Sequence, residues 1–389
     1  MNAYRIGRGM VVAIALCVAV QAGAQNQHLV GQKVMTNKWG VKFKEGDRVT
    51  FMSEIAEVYE VEQVNGKWLW VVGNGRKGWV NRQDLEPYST AIDYFSRQVR
   101  SDPNDTNFYH RALAWKAKGE YEMALGDMNE SLRRDPDSAV YNARGNVRLD
   151  MEQYELAIAD YGEAIRLGSI EHGSGDTTKG VWWESNNFSL NTPYNNRGVA
   201  RESLEQYDLA IADYSEAIRI DPKYALAYRN RGDVWYAKKD YDLAIADYTE
   251  AIRLDPSSAY SHRNLAHACS AKKSYKKAIG YFATAIKLDP SSEWTHNSLA
   301  WLLATCEDRS LRDGERAVAV ATKACELTDY ENWHLVDTLA AAYAEAGDFE
   351  QAVAHVLKAK ELAVDEGGEY LDRVLALYES DKSYEAEES

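Results

Sequence analysis

Three pairs of polar residues recur at a constant interval along the chain, and their side chains are well suited to bind a peptide. An asparagine amide can donate to a peptide carbonyl and accept from a peptide N–H, whereas an arginine guanidinium can hold a carboxylate with two hydrogen bonds. Each pair follows the one before at the same interval, and the pairs are Asn195-Asn196, Arg229-Asn230 and Arg263-Asn264. Three aromatic residues lie near them in sequence: Tyr260, Trp294 and Trp301. The pattern predicts a site for an extended peptide.

Histidines in the same region could bind a metal, but their spacing favours a structural role. His262 and His296 are separated by one such interval, with His267 between them, and Tyr228 occupies the equivalent position one interval earlier. A position that accepts tyrosine in one copy and histidine in the next is more typical of packing between helices than of metal ligation. We therefore expect no metal and no other cofactor.

No residue pattern specifies a catalytic site, so the chain is predicted not to be an enzyme. No serine or cysteine lies in a nucleophile-elbow sequence, and the glutamates fall on solvent-facing positions. Residues 73–78 match the glycine fingerprint of dinucleotide sites. That chemistry requires the glycines to open a helix whose N-terminus holds pyrophosphate. Here they connect two predicted strands, which indicates a turn.

A repeated segment positions the polar pairs. Residues 207–222 return as 241–256 and, less closely, as 275–290. Within 241–256 the apolar and small residues recur at steps of three and four, which predicts an amphipathic helix, and the closing Asp-Pro ends that helix. A second helix is predicted over about 225–238, so each unit is a helical hairpin. A constant period of this length predicts a stacked array, which presents an extended surface rather than an enclosed cavity.

The unit that begins at Ala225 resembles the tetratricopeptide repeat. The residues that carry the resemblance are Tyr228, Gly232, Trp235, Ala244, Tyr248, Ala251 and Pro256. The resemblance implies a mainly α protein, a right-handed α-solenoid whose first helices line a concave groove for peptides. The polar pairs would form a peptide-holding ladder in that groove, unless they are simply common residues of bacterial repeats. The lysine-rich carboxylate clamp of chaperone-binding relatives is not reproduced, which argues against a C-terminal peptide as ligand.

The pattern extends over roughly 88–363, as a half repeat, seven repeats and one insertion. The half repeat covers 88–103, and the repeats cover about 105–137, 138–167, 191–222, 225–256, 259–290, and the divergent 293–328 and 332–363. The insertion, 168–190, is predicted to be a loop. Its Trp182 and Trp183 either pack back onto the array or contact a partner. Residues 364–389 are predicted to form a C-terminal capping helix and an acidic tail.

Residues 26–87 have the pattern of a small β domain. Short apolar or alternating stretches predict strands, and Asn65-Gly66 between two of them predicts a hairpin. The stretch over 64–71, followed by Gly-Trp-Val-Asn at 78–81, resembles bacterial SH3-like domains, which implies a small β-barrel. Its tryptophans could line a ligand cleft, but we expect at least two to belong to the core and its rim: Trp39, Trp68, Trp70 and Trp79.

Residues 1–24 have the features of a secretory signal peptide. Two arginines precede an apolar run over 10–20, and residues 22–24 spell an A-x-A cleavage pattern. The run is too short to cross a bilayer, and no later stretch is long and apolar enough to do so. We therefore predict an exported bacterial protein, periplasmic or secreted, with no membrane span after cleavage.

Charge and cysteine content narrow the choice of partner. Cleavage removes the two arginines, so the formal net charge of −15 becomes −17. An acidic surface disfavours nucleic acid, whose binding requires a cationic surface. The mature chain keeps an odd number of cysteines, and we expect free, mostly buried thiols: Cys269, Cys306 and Cys325.

The leading hypothesis from the sequence is an exported, non-catalytic scaffold that binds protein or peptide partners through the concave groove. The alternative makes the SH3-like module the binder of a cell-wall component or peptide, with the array as a spacer or assembly platform.

Overall fold

The computed structural model describes most of the chain. The described residues are 29–37, 41–45, 48–53, 57–73, 76–173, 189–363 and 367–384. They fall in two compact units, residues 1–188 and 189–389. The predicted signal peptide and the residues Trp39, Trp182 and Trp183 lie outside the described residues. Within the described part, no helix combines the length and the apolar character needed to cross a membrane.

The first unit begins with a seven-stranded antiparallel sheet. Its strands are β1 (Lys33–Thr36), β2 (Val41–Glu45), β3 (Arg48–Ser53), β4 (Val58–Asn65), β5 (Trp68–Gly73), β6 (Arg76–Asn81) and β7 (Leu85–Pro87). They are ordered β3-β2-β6-β5-β4-β1-β7. The described residues of β3 and β7 do not pair with each other, so the predicted barrel takes the form of a curled half-barrel.

Two predicted turns connect strands of this sheet. Gly66 has a φ of +59° between β4 and β5, a conformation that glycine adopts without a steric cost, and the predicted hairpin is confirmed. Gly73 ends β5 and Arg76 begins β6. The glycine fingerprint therefore connects two antiparallel strands and does not open a helix.

One face of the sheet forms the core, and the described tryptophans lie on the other. Successive side chains of a strand point to opposite faces, so Leu69 and Val71 are buried while Trp68 and Trp70 are half-buried. Trp79 is paired with Trp70 across β5 and β6 and is also half-buried. The three described tryptophans are thus half-buried beside the core and are not part of its buried cluster.

Five helices follow the sheet in the first unit. They are α1 (Ala91–Ser101), α2 (Asp105–Ala117), α3 (Tyr121–Arg134), α4 (Ser138–Asp150) and α5 (Tyr154–Gly173). Helix α5 continues six residues into the segment predicted to be a loop, 168–190. The physical reason is the absence of the Asp-Pro pair that closes other units, since Gly168-Ser169 stands in its place.

The second unit consists of further antiparallel hairpins and a terminal helix. Its helices are α6 (Asn191–Ser203), α7 (Tyr207–Ile220), α8 (Ala225–Ala237), α9 (Tyr241–Leu254), α10 (Ala259–Ala271), α11 (Tyr275–Leu288), α12 (Glu293–Thr305), α13 (Gly314–Glu326), α14 (Trp333–Glu345), α15 (Phe349–Leu362) and α16 (Gly368–Tyr378). Buried alanines of each second helix form much of the core, and α7, α9 and α11 add a buried aromatic residue: Tyr214, Tyr248 and Phe282.

A small residue lets the two helices of a hairpin approach closely. A Cβ atom added to Gly232 would lie 2.8 Å from Cε1 of Tyr248, so no larger residue fits without a shift of the ring. Gly198 has the same relation to Tyr214, at 2.6 Å. These contacts explain why glycine occupies this position of the first helix in both hairpins.

A buried ion pair also joins the two helices of four hairpins. In each, an arginine of the first helix binds an aspartate 16 residues later with two hydrogen bonds, and the pairs are Arg111–Asp127, Arg144–Asp160, Arg197–Asp213 and Arg231–Asp247. In the hairpin of α10 and α11, Leu265 and Tyr281 occupy these positions. The sequence analysis did not identify these pairs, although their constant spacing was available as a signal.

Candidate functional site

Two of the predicted ladder asparagines bind each other instead of facing solvent. Asn195 and Asn230 are buried, with 2% and 5% of their surfaces exposed. The Nδ2 atom of Asn230 donates to Oδ1 of Asn195 at 3.0 Å, and Nδ2 of Asn195 donates to Oδ1 of Asn196 at 3.3 Å. These amides connect the first helices of neighbouring hairpins, which is a structural role. A peptide could reach Asn195 and Asn230 only after a rearrangement.

The two predicted arginines both contact one exposed aromatic ring. The guanidinium carbon of Arg229 is 4.6 Å from the ring centre of Tyr260, and that of Arg263 is 4.8 Å from it. Tyr260 is 40% exposed. Cation–π attraction to the ring limits the freedom of both guanidinium groups. The arrangement therefore presents two positive charges in a fixed relation on the surface of α8 and α10.

Neither arginine forms an ion pair with an acidic side chain among the described residues. Arg229 donates from Nε and Nη2 to Oδ1 of Asn230, at 3.2 and 3.0 Å, and Arg263 donates weakly from Nε to Asn264 at 3.4 Å. By contrast, Arg231, two residues after Arg229, is bound to Asp247 through both carboxylate oxygens. The charge of Arg229 does oppose the rise in the pKa of the Asp233 and Glu202 carboxyl groups. With no ion pair among the described residues, both guanidinium groups can still bind a carboxylate from outside the chain.

Asp233 holds the ring that both arginines contact, and the sequence analysis missed it. Its Oδ2 accepts from the Tyr260 hydroxyl at 3.1 Å, and its Oδ1 accepts from Asn264 and from the Tyr248 hydroxyl, both at 2.7 Å. Burial raises the pKa of this carboxyl group. Asn264 is therefore also occupied by a neighbouring side chain. The available signal was the change to aspartate at a position held by Val199 in the preceding unit.

The remaining predicted aromatic residues lie around a pocket in the divergent part of the second unit. Trp294 and Trp301 of α12 face α14, where Asp337 lies, and the pocket has a volume of about 320 Å³. Trp294 is 46% exposed, whereas Asp337 is buried, with only 5% of its surface exposed. The structure thus separates the predicted residues into an arginine site around Tyr260 and an aromatic pocket around Asp337.

Comparison with known families identifies the hairpins. Family models of the tetratricopeptide repeat match residues 195–259 and 240–293, and a further model of this repeat matches 138–167. These segments are tetratricopeptide repeats. No curated protein has significant similarity to the sequence. Arrays of such repeats are protein-interaction scaffolds with extended binding surfaces.

Solved structures of tetratricopeptide proteins have the same fold. A chain of the APC/C hetero-tetramer Cut9-Hcn1 matches with a TM-score of 0.50 and 17% identity, over 66% of this chain and 46% of that chain. This chain therefore spans less than half of that relative's length. The C-terminal part of a repeat-containing protein from Cytophaga hutchinsonii matches with a TM-score of 0.50 and 19% identity, over 69% of this chain and 99% of that chain. At these identities the likeness concerns the fold alone.

The histidines and cysteines of the tetratricopeptide hairpins have structural positions. His262 and His296 are buried, and their ring nitrogens contact main-chain oxygens of Pro256 and Ser292 at 3.3 and 2.9 Å. The cysteines Cys269, Cys306 and Cys325 are free and buried, as predicted. Within the described ranges, no group of three or more histidine, cysteine, aspartate or glutamate side chains could hold a metal ion.

The outer face of the β sheet is a second surface with exposed aromatic area. Trp70 and Trp79 meet edge to face with ring centres 5.5 Å apart, and Nζ of Lys44 lies 5.2 Å from the ring centre of Trp68. The tetratricopeptide hairpins and this sheet are therefore both able to contact a partner. The sheet offers flat aromatic contact, whereas the hairpins offer unpaired charge.

Proposed function

We propose that the protein is a non-catalytic scaffold that binds an acidic peptide segment of a partner protein. The segment lies across the first helices α8 and α10, with acidic side chains bound by Arg229 and Arg263. The observation that carries this proposal is the pair of guanidinium groups fixed against Tyr260, neither of which forms an ion pair among the described residues. A rigid, unpaired cation loses little freedom when it binds a carboxylate, and its hydrogen bonds are charge-assisted.

The surrounding residues give this site its specificity. Asp233 binds the Tyr260 hydroxyl and so fixes the ring that both arginines contact. The carboxylate of Asp233 accepts from three donors, none of them a guanidinium group, although the charge of Arg229 acts on it. A ligand with acidic side chains is favoured over a basic one at this point. Because the whole chain carries a formal charge of −15, selection must come from this local geometry and not from long-range attraction.

We further propose that the protein acts outside the cytoplasm. The support is the arrangement of residues 1–24, with its positive start, short apolar run and A-x-A pattern. Mass determination of the mature N-terminus tests this directly. A mature chain that begins near Gln25 is the expected result, and a chain that retains residues 1–24 would contradict it.

Substitution of both site arginines tests the peptide proposal. Arg229→Ala with Arg263→Ala should weaken binding of acidic peptides, chosen from an array of decapeptides, at least tenfold, because each charge-assisted bond contributes roughly 1.5–3 kcal/mol. The melting temperature should change little. Fluorescence polarisation with labelled peptides measures the effect, and peptides with glutamine for glutamate should not bind.

A second double variant provides the control. Arg219 and Arg253 are exposed and each binds a glutamate three residues earlier on its own helix. Arg219→Ala with Arg253→Ala removes the same number of positive charges and should leave peptide affinity unchanged. Equal loss of affinity in both double variants would show that net charge, and not the site, governs binding.

The outer face of the sheet supports a second candidate function, binding of a peptide or cell-wall component by the SH3-like half-barrel. The observation in its favour is the half-buried cluster of Trp68, Trp70 and Trp79 beside Lys44. Trp68→Ala in the full chain should then reduce retention on isolated murein. If retention is unaffected while the arginine variant loses its peptide, this candidate fails.

A further inference from the structure

The pocket between α12, α14 and the terminal helix α16 has aromatic walls and a carboxylate inside. Trp294 and Trp301 come from α12, Trp333 begins α14, and Tyr370 lies on α16. Its volume of about 320 Å³ is at the lower end of pockets that hold small ligands, and it suits a single side chain. Aromatic faces carry negative potential, so this lining attracts a cation.

Asp337 is buried in this pocket with one oxygen unoccupied. Its Oδ2 accepts from the Tyr370 hydroxyl at 2.8 Å, whereas its Oδ1 is buried and has no hydrogen-bond partner. Among the described residues it forms no ion pair with a lysine, arginine or histidine. Burial raises the pKa of this carboxyl group to about 6. At neutral pH the pocket therefore contains an ionised, uncompensated carboxylate, which is costly unless a positive group binds it.

A second polar residue of the pocket has an acceptor atom without a hydrogen-bond partner, as Asp337 does. Asn297 also lines the pocket, and its Oδ1 is buried without a partner. Two residues that line the pocket thus each have a buried acceptor without a partner, and no lysine or arginine is among the described residues that line it. The ring of Trp333 is stacked on His334, with centres 3.6 Å apart, which holds one wall in place. Hydrogen-bond acceptors in a pocket lined by aromatic rings suit a ligand whose donor group is positively charged.

We propose that this pocket binds an alkylammonium group, such as a lysine side chain. The ammonium donates to Oδ1 of Asp337, and its methylene chain lies against Trp294 and Trp301. An anion is excluded by the carboxylate, and the single carboxylate is too few oxygen ligands for a dedicated divalent-cation site. The group could belong to a peptide or to a free amine, and the chemistry of recognition is the same. This site is separate from Arg229 and Arg263 and does not rest on the peptide proposal.

Titration of the full chain with a matched pair of small compounds tests this inference. Nα-acetyl-lysine methylamide should quench tryptophan fluorescence saturably and raise the melting temperature, while the norleucine compound, which lacks the charge, should bind at least tenfold more weakly. A lysine-containing peptide and putrescine then identify the source, since tighter binding of either one supports the proposal. Equal binding of the lysine and norleucine compounds, or no binding of either, would overturn it.

Two variants separate a specific site from a general electrostatic effect. Asp337→Asn keeps an acceptor for the Tyr370 hydroxyl but removes the charge. It should lower the affinity for the lysine compound at least tenfold. Glu326→Gln removes an acidic charge from an exposed position of α13 and should change nothing. Retained binding in Asp337→Asn would refute the inference. Arg229→Ala with Arg263→Ala should leave this titration unchanged, so the two sites fail or succeed independently.

Discussion

The arginine site and the aromatic pocket use the same position of the repeat with opposite charge. Arg229 and Arg263 each lie three residues before the small residue of the first helix, Gly232 or Ala266, and Asp337 lies three residues before Ala340. At one end of the second unit this position gives a cation without an acidic partner. At the other it gives a carboxylate without a basic partner, counted over the described residues. The same position of the repeat therefore carries a cation in two hairpins and a carboxylate in another, while the hairpin itself stays the same.

The comparison also distinguishes structural charges from charges available for binding. Arg197 and Arg231 lie on first helices, as Arg229 does, but each is bound to a buried aspartate through two hydrogen bonds. Such pairs hold the two helices of a hairpin together. The chain pairs its structural charges regularly. A charge that is left unpaired is therefore a reason to look for a ligand. This criterion selects Arg229, Arg263 and Asp337.

The largest expected effect comes from breaking a structural pair. Arg231→Ala leaves Asp247, only 6% exposed, without its partner, and should lower the free energy of unfolding by about 3–5 kcal/mol. Arg229→Ala, two residues away, removes no ion pair among the described residues and should cost under about 0.5 kcal/mol. Thermal and urea unfolding followed by circular dichroism measures both. Similar losses in the two variants would remove the distinction between structural and available charges.

The second prediction concerns the pH dependence of stability at Asp337. Its folded-state pKa is about 6, raised from 3.8 by burial, so folding favours the protonated form. The stability that this proton contributes is present below about pH 4 and is lost as the pH rises through about 6. Asp337→Asn should therefore be more stable than the wild type by about 3 kcal/mol at pH 8, with the difference vanishing near pH 4.

The surroundings of Asp337 decide how this pH experiment is controlled. The titratable groups near it are His334, which lines the pocket, and the hydroxyls of Tyr370 and Tyr378, whose pKa values are raised mainly by burial. Both tyrosines therefore stay neutral across the range. His334→Gln in both backgrounds removes the remaining titration. A stability difference that does not depend on pH would contradict a strained carboxylate.

The smallest expected effect comes from supplying the missing cation within the chain. Asn297 shares the pocket with Asp337, so Asn297→Lys places an ammonium group beside the carboxylate. Stability at pH 8 should rise by roughly 1 kcal/mol, and the affinity for the lysine compound should fall about tenfold. Asn297→Met, which adds length without charge, is the matched control. Unchanged affinity in Asn297→Lys would place the binding group elsewhere.

Periodicity predicted the hairpins well, and their side-chain partners less well. The step of three and four residues marks buried positions, so the packing of His262 and Cys269 followed from the sequence. The burial of Asn195 and Asn230 did not follow from the sequence. Their contact joins neighbouring hairpins, so it depends on how these hairpins stack. A single acidic residue such as Asp233 resembles one on a solvated helix face, and only the comparison with Val199 in the preceding unit marks it.

The divergent repeats show where sequence reasoning failed for the pocket. The two divergent repeats are separated by a longer interval than the earlier repeats, as their equivalent pairs Leu299-Ala300 and Leu339-Ala340 show. The constant register that relates the earlier repeats is therefore lost. Trp301 and Asp337 could not be placed together without that register. In the β domain, the tryptophans alternate with the core residues of the same strand, and the pattern alone does not tell which face is covered. Tertiary packing decided both cases.

Quantitative co-purification from the native envelope tests the central claim most directly. Tagged full-length wild type, the variant Arg229→Ala with Arg263→Ala, and the control Arg219→Ala with Arg253→Ala are compared in parallel by mass spectrometry. If unpaired charges form the binding site, a partner retained by the wild type and the control is depleted at least tenfold from the site variant. A partner retained equally by all three proteins would contradict the account.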